Sequence, residues 1–301
     1  MLDTIPVARG GRRSLASHAL ETTGLMARLL GFIGNRPDHA MGVLRAHAEV
    51  LRCQPSAGSS VGWGVGFFQN GEVLLRRRPS DDRPLVDPIE SGIEMRTDAA
   101  IGHVRVAPTG TLRTEDTQPF RHRSWLFAQI GAVHGFDRLG PELTEAIATF
   151  LRPNVRGESD AEVCFYLFLT FLHQTGGLDA PRRDPTSVVA SLRAGLSLVD
   201  RLAASRGYPT SDLDLMTSDG EHLFAVHRSG SMVYRTFDGR HDLDALYSGE
   251  APLVARPPRI DQARYTVIAS PAVPATRAWT TLPSRVIFTV TRDAPPSVEP
   301  L

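Results

Sequence analysis

Few residues in this 301-residue chain combine a reactive type with a useful spacing. The two thiols, Cys53 and Cys164, are far apart and neither belongs to a C-x-x-C, which argues against a disulfide framework or a zinc site. Cys164 lies among Val163, Phe165, Tyr166 and Leu167 and reads as a buried helix residue. Cys53, beside a Gln-Pro loop, is a poor nucleophile. The ten histidines show no H-E-x-x-H or comparable ligand spacing, so no metal is expected. His103 reads as a side chain that packs or bonds locally rather than as a base. Arg105 stands at a strand end, where a structural salt bridge would account for it. Asp160 follows Ser159 at a helix start, where a carboxylate favours the helix dipole whatever its function. The glycines of Gly62-Trp63-Gly64-Val65-Gly66 lack the spacing and the following helix of a dinucleotide loop. Glycines in a strand instead let another backbone or a ligand approach closely, and Trp63 and Phe67 read as core.

Composition narrows the field further. The chain is long enough to bury a substantial core, and its formal net charge of zero gives no reason to expect nucleic acid or an anionic membrane as partner. No apolar run approaches the ~20 residues that a membrane helix needs. Residues 1–25 are polar and lack the apolar stretch of a signal peptide, so they read as a flexible extension, with Met26 as an alternative start. A reduced, cytoplasmic setting is the default expectation, with no cofactor.

The elements that must position these residues come in blocks. Strand signals cover 26–34, 61–68, 72–77, 99–105 and 125–133, with a helix expected over 37–52 and a loop with a short helix over 79–98. Helices follow at 141–151, 159–173 and 185–205. The second opens with Ser159 and Glu162 at capping-box spacing, and the third with Asp184 as N-cap and Pro185 at the first helical position. Strands return at 213–217, 222–227, 232–236, 265–269 and 286–291, and the Pro-rich end 293–301 reads as a frayed tail. Strands, two long helices, then strands again predict an α+β fold with two sheets sandwiched between helices, in a single domain over 26–292.

Six segments in order give this pattern a likeness. They are Met26-Ala27-Arg28-Leu29-Leu30-Gly31-Phe32, Val61-Gly62-Trp63-Gly64-Val65-Gly66-Phe67, His103-Val104-Arg105-Val106-Ala107-Pro108-Thr109-Gly110, Glu115-Asp116-Thr117-Gln118-Pro119-Phe120, Trp125-Leu126-Phe127-Ala128-Gln129-Ile130-Gly131 and Ser159-Asp160-Ala161-Glu162. Together with Thr217-Ser218-Asp219-Gly220 and Ala269-Ser270-Pro271, they resemble the class II glutamine amidotransferases, which are N-terminal-nucleophile (Ntn) hydrolases. The small stand-alone branch of γ-glutamyl amidohydrolases is the nearest in pattern. The resemblance runs from about residue 26 to 290 and implies a four-layer αββα Ntn-type sandwich.

The resemblance also implies roles. In that family an N-terminal cysteine attacks a side-chain amide, with its own α-amine as base and an Asn side chain and a Gly N–H as oxyanion donors. An arginine after the H-V strand holds the substrate carboxylate, and an aspartate at a helix start holds its amine. Here the nucleophile position is Ala27 and the Asn position is Ile130, while Gly131, Arg105 and Asp160 remain. The rim differs as well: Asp116, Gln118, Gln129 and Pro108 replace Asn, His, His and Thr. These substitutions lead to the expectation of a degenerate amidotransferase-like protein without glutaminase activity. It would serve as a binding, regulatory or structural subunit, with room for a protein partner and for a glutamine or γ-glutamyl head group at Arg105, Asp160 and Gly131. The alternative is a working Ntn amidohydrolase whose nucleophile is Thr22 or Thr23, exposed by cleavage. Either lies ~13–18 Å of extended chain upstream of Ala27.

Overall fold

The computed structural model describes residues 27–38, 40–51, 60–79, 95–107, 113–180, 184–247, 260–270 and 279–301. The first half of the chain supplies β1 (Ala27–Gly34), α1 (Ala40–Ala46), α2 (Ala48–Leu51), β2 (Ser60–Gln69), β3 (Glu72–Arg78) and β4 (Ala99–Ala107). A short β5 (Phe120–His122) and β6 (Trp125–Gly131) lead into three helices, α3 (Phe136–Ala146), α4 (Asp160–Gln174) and α5 (Pro185–Ser205). The remainder is β7 (Leu213–Ser218), β8 (His222–His227), β9 (Val233–Asp238), α6 (Gly239–Tyr247), β10 (Arg264–Ser270), β11 (Thr280–Thr281), β12 (Val286–Thr291) and β13 (Ser297–Pro300).

These strands build two antiparallel sheets, ordered β11-β9-β10-β1-β4-β2-β3 and β13-β12-β8-β7-β6-β5. Both faces of each sheet are apolar, so each strand must be covered twice. Leu29, Ile33, Ile101, Leu126, Ala128, Met216, Ala225 and Ile268 fill the gap between the sheets. The outer face of the six-stranded sheet buries Trp125, Phe127, Leu215, Phe224 and Val226 under α3, α4 and α5. The outer face of the seven-stranded sheet carries Leu30, Phe32, Trp63, Phe67 and Val104, which pack with Leu44, Val50, Leu51 and Leu243 from α1, α2 and α6. The result is the expected α+β sandwich of helix, sheet, sheet and helix, with Trp63 and Phe67 in the core.

Helix α4 lies between sheet and helices, and eleven of its residues, from Ala161 to Leu172, are buried. A helix that is apolar on nearly every side requires such a position, and each large buried side chain there contributes about 1.5–3 kcal/mol. Its start is half a capping box. Ser159 Oγ accepts from the Glu162 N–H at 3.3 Å, whereas the Glu162 carboxylate turns to the N–H groups of Arg156 and Gly157. Helix α5 begins as its sequence predicts, with the Asp184 carboxylate accepting from Thr186 and Ser187 N–H at 3.1 and 3.2 Å.

Glycines of β2 let the sheets approach. A Cβ on Gly64 would collide with the Gln118 carbonyl, and one on Gly66 would meet the Leu126 side chain. The close approach expected from the sequence is therefore an approach of protein to protein.

Several elements differ from expectation, and the short strands β5 and β11 are additional to those expected. The helix over 37–52 is broken at His47, whose buried ring packs edge-on against Phe237 and Trp279. Helix α3 starts at Phe136 and carries Pro141 inside it, where the missing N–H forfeits one helical bond. The expected tail at 293–301 holds strand β13, paired to β12 from Val286↔Pro300 to Thr289↔Ser297. Proline is tolerated there because an edge strand need not donate on both sides. Helix α6 had no counterpart in the sequence reading.

Candidate functional site

Side chains alternate across a strand, so the core contacts fix which way the site residues face. In β1, Leu29 and Ile33 face the opposing sheet, and Ala27 falls on that same inner side. In β4, Ile101 is inward and Val104 and Val106 are outward, which places His103 and Arg105 inward. In β6, Leu126, Ala128 and Ile130 are inward, and Gln129 shares the helix side with Trp125 and Phe127. Ala27 pairs directly with Arg105, and β1 lies across the gap from β6. Ala27, Arg105 and Ile130 therefore occupy facing surfaces at one end of the sandwich. Ala27 and Ile130 are half-buried, and Arg105 is exposed.

Arg105 makes no hydrogen bond or ion pair among the described residues. Its charge nevertheless reaches Asp160, the first residue of α4. Burial pushes the Asp160 carboxyl above the ordinary aspartate value, opposed by hydrogen bonds from the backbone of Val133 and Ala161 and by the Arg105 charge. The Val133 N–H donates to Oδ2 at 2.7 Å and the Ala161 N–H to Oδ1 at 2.9 Å. Each oxygen keeps a further lone pair, so the carboxylate is held in place without being used up. It thereby tethers the turn after Gly131, which the Ser211 Oγ also holds by accepting the His134 N–H at 2.9 Å. Gly131 itself has φ +86°, and a Cβ there would strike the Asp212 carbonyl, so only glycine fits. Arg105, Asp160 and Gly131, expected together from sequence, are brought to one end of the molecule.

Of the two glutamines of the rim, Gln118 serves the backbone, whereas the buried side-chain amide of Gln129 has no hydrogen-bond partner among the described residues. Gln118 Nε2 donates to the Gln129 carbonyl at 3.1 Å, and the Gln129 N–H donates to Gln118 Oε1 at 2.6 Å. This amide replaces a rung of the β5–β6 ladder just beyond Pro119, which has no N–H to give. His103 faces the backbone of Gln129 across the gap between the sheets, which weakly favours its charged form. Its ring is only 3% exposed, and burial first, then the Arg105 charge, lowers its pKa to about 3. The ring is neutral near pH 7 and packed between the sheets, a poor setting for a base.

Sequence reasoning missed a polar cluster beside Ile130. Asp214, its register partner on β7, accepts from the Ser270 hydroxyl at 2.8 Å, the His227 Nδ1 at 2.9 Å and the Arg228 N–H at 3.0 Å. Ser270, Asp214 and His227 are 1%, 4% and 2% exposed, and they join β10 of one sheet to β7 and β8 of the other. The signal was present: a carboxylate inside the apolar strand Leu-Asp-Leu-Met demands buried partners. The serine bonds to the aspartate and not to the imidazole, so the group lacks the serine-to-base bond of a hydrolytic triad.

Other candidates fall away or lie outside the described residues. Cys164 is buried in α4, where burial raises its thiol pKa, and it lines a small apolar cavity with Phe127, Leu196 and Leu215. Thr22, Thr23, Cys53 and residues 108–110 are not among the described residues. Neither a cluster of three His, Cys, Asp or Glu side chains suited to a metal nor a helix long and apolar enough to cross a membrane occurs among the described residues.

Comparison with known proteins agrees with this architecture. Two curated relatives share part of the sequence. "Putative glutamine amidotransferase YafJ" of Escherichia coli K12 is 24% identical over 170 residues, 54% of this chain and 59% of that protein. "Putative glutamine amidotransferase" of Haemophilus influenzae is 27% identical over 160 residues, 50% of this chain and 49% of that protein. The chain thus spans about half to three-fifths of the length of these relatives. Among solved structures, a glutamine aminotransferase class-II domain protein from Silicibacter pomeroyi superposes with a TM-score of 0.57 at 19% identity, covering 91% of this chain and 98% of that one. The glutamine phosphoribosylpyrophosphate amidotransferase of B. subtilis gives 0.53 at 13% identity, over 91% and 49%. These structural likenesses speak for the fold alone. The family model for glutamine amidotransferases class-II matches residues 26–294, and the chain belongs to that family.

Proposed function

We propose that this chain is a degenerate member of the class II glutamine amidotransferases that lacks glutaminase activity. It acts as a binding or regulatory subunit and retains a pocket for an amino-acid head group. The observation that carries the proposal is Ala27, a bare methyl group on the inner face of β1 beside Arg105. The family's covalent route needs a thiol at the position that Ala27 occupies in the pattern shared with the stand-alone γ-glutamyl amidohydrolases. Ile130, one residue before Gly131, adds a second loss, because an aliphatic side chain offers no hydrogen to a developing oxyanion.

The retained half of the site is electrostatic. A guanidinium without a partner among the described residues suits a carboxylate, and a buried carboxylate with spare lone pairs suits an ammonium. An α-amino acid presents both groups at once. Thermal unfolding with added L-glutamine and a γ-glutamyl dipeptide tests this reading. A ligand at 100 times its dissociation constant adds about 2.7 kcal/mol, a plainly visible shift in Tm. Arg105→Ala is expected to abolish that shift while leaving the Tm of the free protein nearly unchanged, because the exposed guanidinium makes no hydrogen bond or ion pair among the described residues. If no amino acid shifts the wild-type protein, the pocket is vestigial and the binding role fails.

A further inference from the structure

The two ends of the proposed pocket do not match each other, and the mismatch carries information about the ligand. At one end are opposite charges, Arg105 and Asp160, close enough for one to act on the other without an ion pair between them. Such an arrangement suits a zwitterion, whose carboxylate and ammonium can each take one side. At the other end the walls are Ala27 on β1 and Ile130 on the facing β6, both inward and both half-buried. Neither side chain can donate or accept a hydrogen bond.

Several nearby polar groups are already committed to one another, and the Gln129 amide, unpartnered among the described residues, lies on the helix side of β6, away from Ile130. The Asp214 carboxylate beside Ile130 takes Ser270, His227 and the Arg228 N–H. Both backbone groups of Gln129 are held by Gln118. The N–H groups of Val133 and His134 are spent on Asp160 and Ser211. The side chains that this wall turns inward, Ala27 and Ile130, therefore supply no donor to replace water. A carboxamide has an acceptor oxygen and two N–H donors, so a glutamine side chain placed here would lose most of its hydrogen bonds to water without replacement. An aliphatic side chain gives up no hydrogen bond and gains contact with both walls.

We infer that the pocket binds an L-α-amino acid with an aliphatic side chain, of the leucine or methionine class, in preference to glutamine. This rests on the head-group reading given above. The polar amide loses because covering a hydrogen-bonding group with two apolar walls that offer it no partner costs about tenfold or more in affinity. The aliphatic chain gains because its methylene and methyl groups leave water.

Isothermal titration of the full chain with L-leucine, L-methionine, L-norleucine and L-glutamine tests the ranking without any variant. The inference expects leucine or methionine to bind at least about tenfold more tightly than glutamine. It also expects N-acetyl-leucine and leucinamide, which lack one of the two charges, to lose binding. Ile130→Asn, which returns an amide to the wall, should shift the ratio toward glutamine by about tenfold. Glutamine binding as tightly as leucine to the wild-type chain overturns the inference but leaves the head-group pocket standing. Absence of binding by all four amino acids overturns both.

Discussion

A chain made to begin at residue 27, with Ala27→Cys, is expected to release glutamate from L-glutamine slowly, and the further change Ile130→Asn to accelerate that release by about 10²–10³-fold. Each position supplies a different part of the chemistry. Cysteine at the start of the chain brings both a thiol and the α-amine that can take its proton, so the covalent route opens. The same Ala27→Cys change inside an uncut chain supplies the thiol without the amine and should give no turnover above background. Ile130→Asn supplies nothing to attack with, so it is silent alone. With the thiol in place it gives the oxyanion a side-chain donor beside the Gly131 N–H, and Gly131 is already fixed by its positive φ and the Asp212 carbonyl. Steady-state glutamate release by the four proteins, at equal concentration and with intact mass confirmed, reads this directly. Equal rates for the single and double variants would mean that residue 130 does not face the reacting carbonyl.

The second large effect concerns stability rather than chemistry. Asp214→Ala is expected to destabilise the protein by about 3–5 kcal/mol, as for a buried charge-bearing network that loses one member. Three donors, from Ser270, His227 and the Arg228 backbone, would be left in a dry gap between the sheets without an acceptor. Asp214→Asn keeps the shape and one oxygen but turns an N–H toward one of the donors, so a smaller loss of about 1–3 kcal/mol is expected. Urea unfolding followed by tryptophan fluorescence measures both, since Trp125 is wholly buried in the adjoining layer. A loss below about 1 kcal/mol for the alanine variant would show that the sheets do not depend on this contact. The cluster borders Ile130 by register, so its loss should also loosen the wall of the site.

Most of the scaffold was legible in the sequence because its elements announce themselves locally. Asp184 and Pro185 mark the start of α5, and alternating apolar residues around Ser-Asp-Gly mark the β7–β8 pair. What escaped depended on tertiary partners. The break at His47 follows from the packing of its ring on Phe237 and Trp279, residues far along the chain. Strand β13 exists because β12 offers it an edge, and nothing in Ser-Val-Glu-Pro alone predicts a strand. Pro141 misled because proline usually opens a helix, whereas here α3 begins five residues earlier at Phe136.

The site divides the same way. Arg105, Asp160 and Gly131 could be chosen by their place in the family pattern, and alternation along β1, β4 and β6 explains why the first shares an inner face with Ala27 and Ile130. The tethering of the turn after Gly131 by Asp160 and Ser211 was not legible, since it joins residues 27 and 77 positions apart. The partners of Asp214 were equally hidden. A buried carboxylate in a strand signals that donors must exist, but only the register of β7 with β8 and the approach of β10 say that they are His227 and Ser270.

The proposed lack of amide hydrolysis is open to direct measurement. Purified wild-type chain, with its N-terminus established by intact mass, is incubated with L-glutamine and with γ-glutamyl amides, and released glutamate is followed over time. The expected result is release indistinguishable from a protein-free control for the uncut chain and for a chain beginning at residue 26 or 27. Turnover that scales with protein concentration, above all from a species beginning at Thr22 or Thr23, would contradict it and establish a working hydrolase with a different nucleophile.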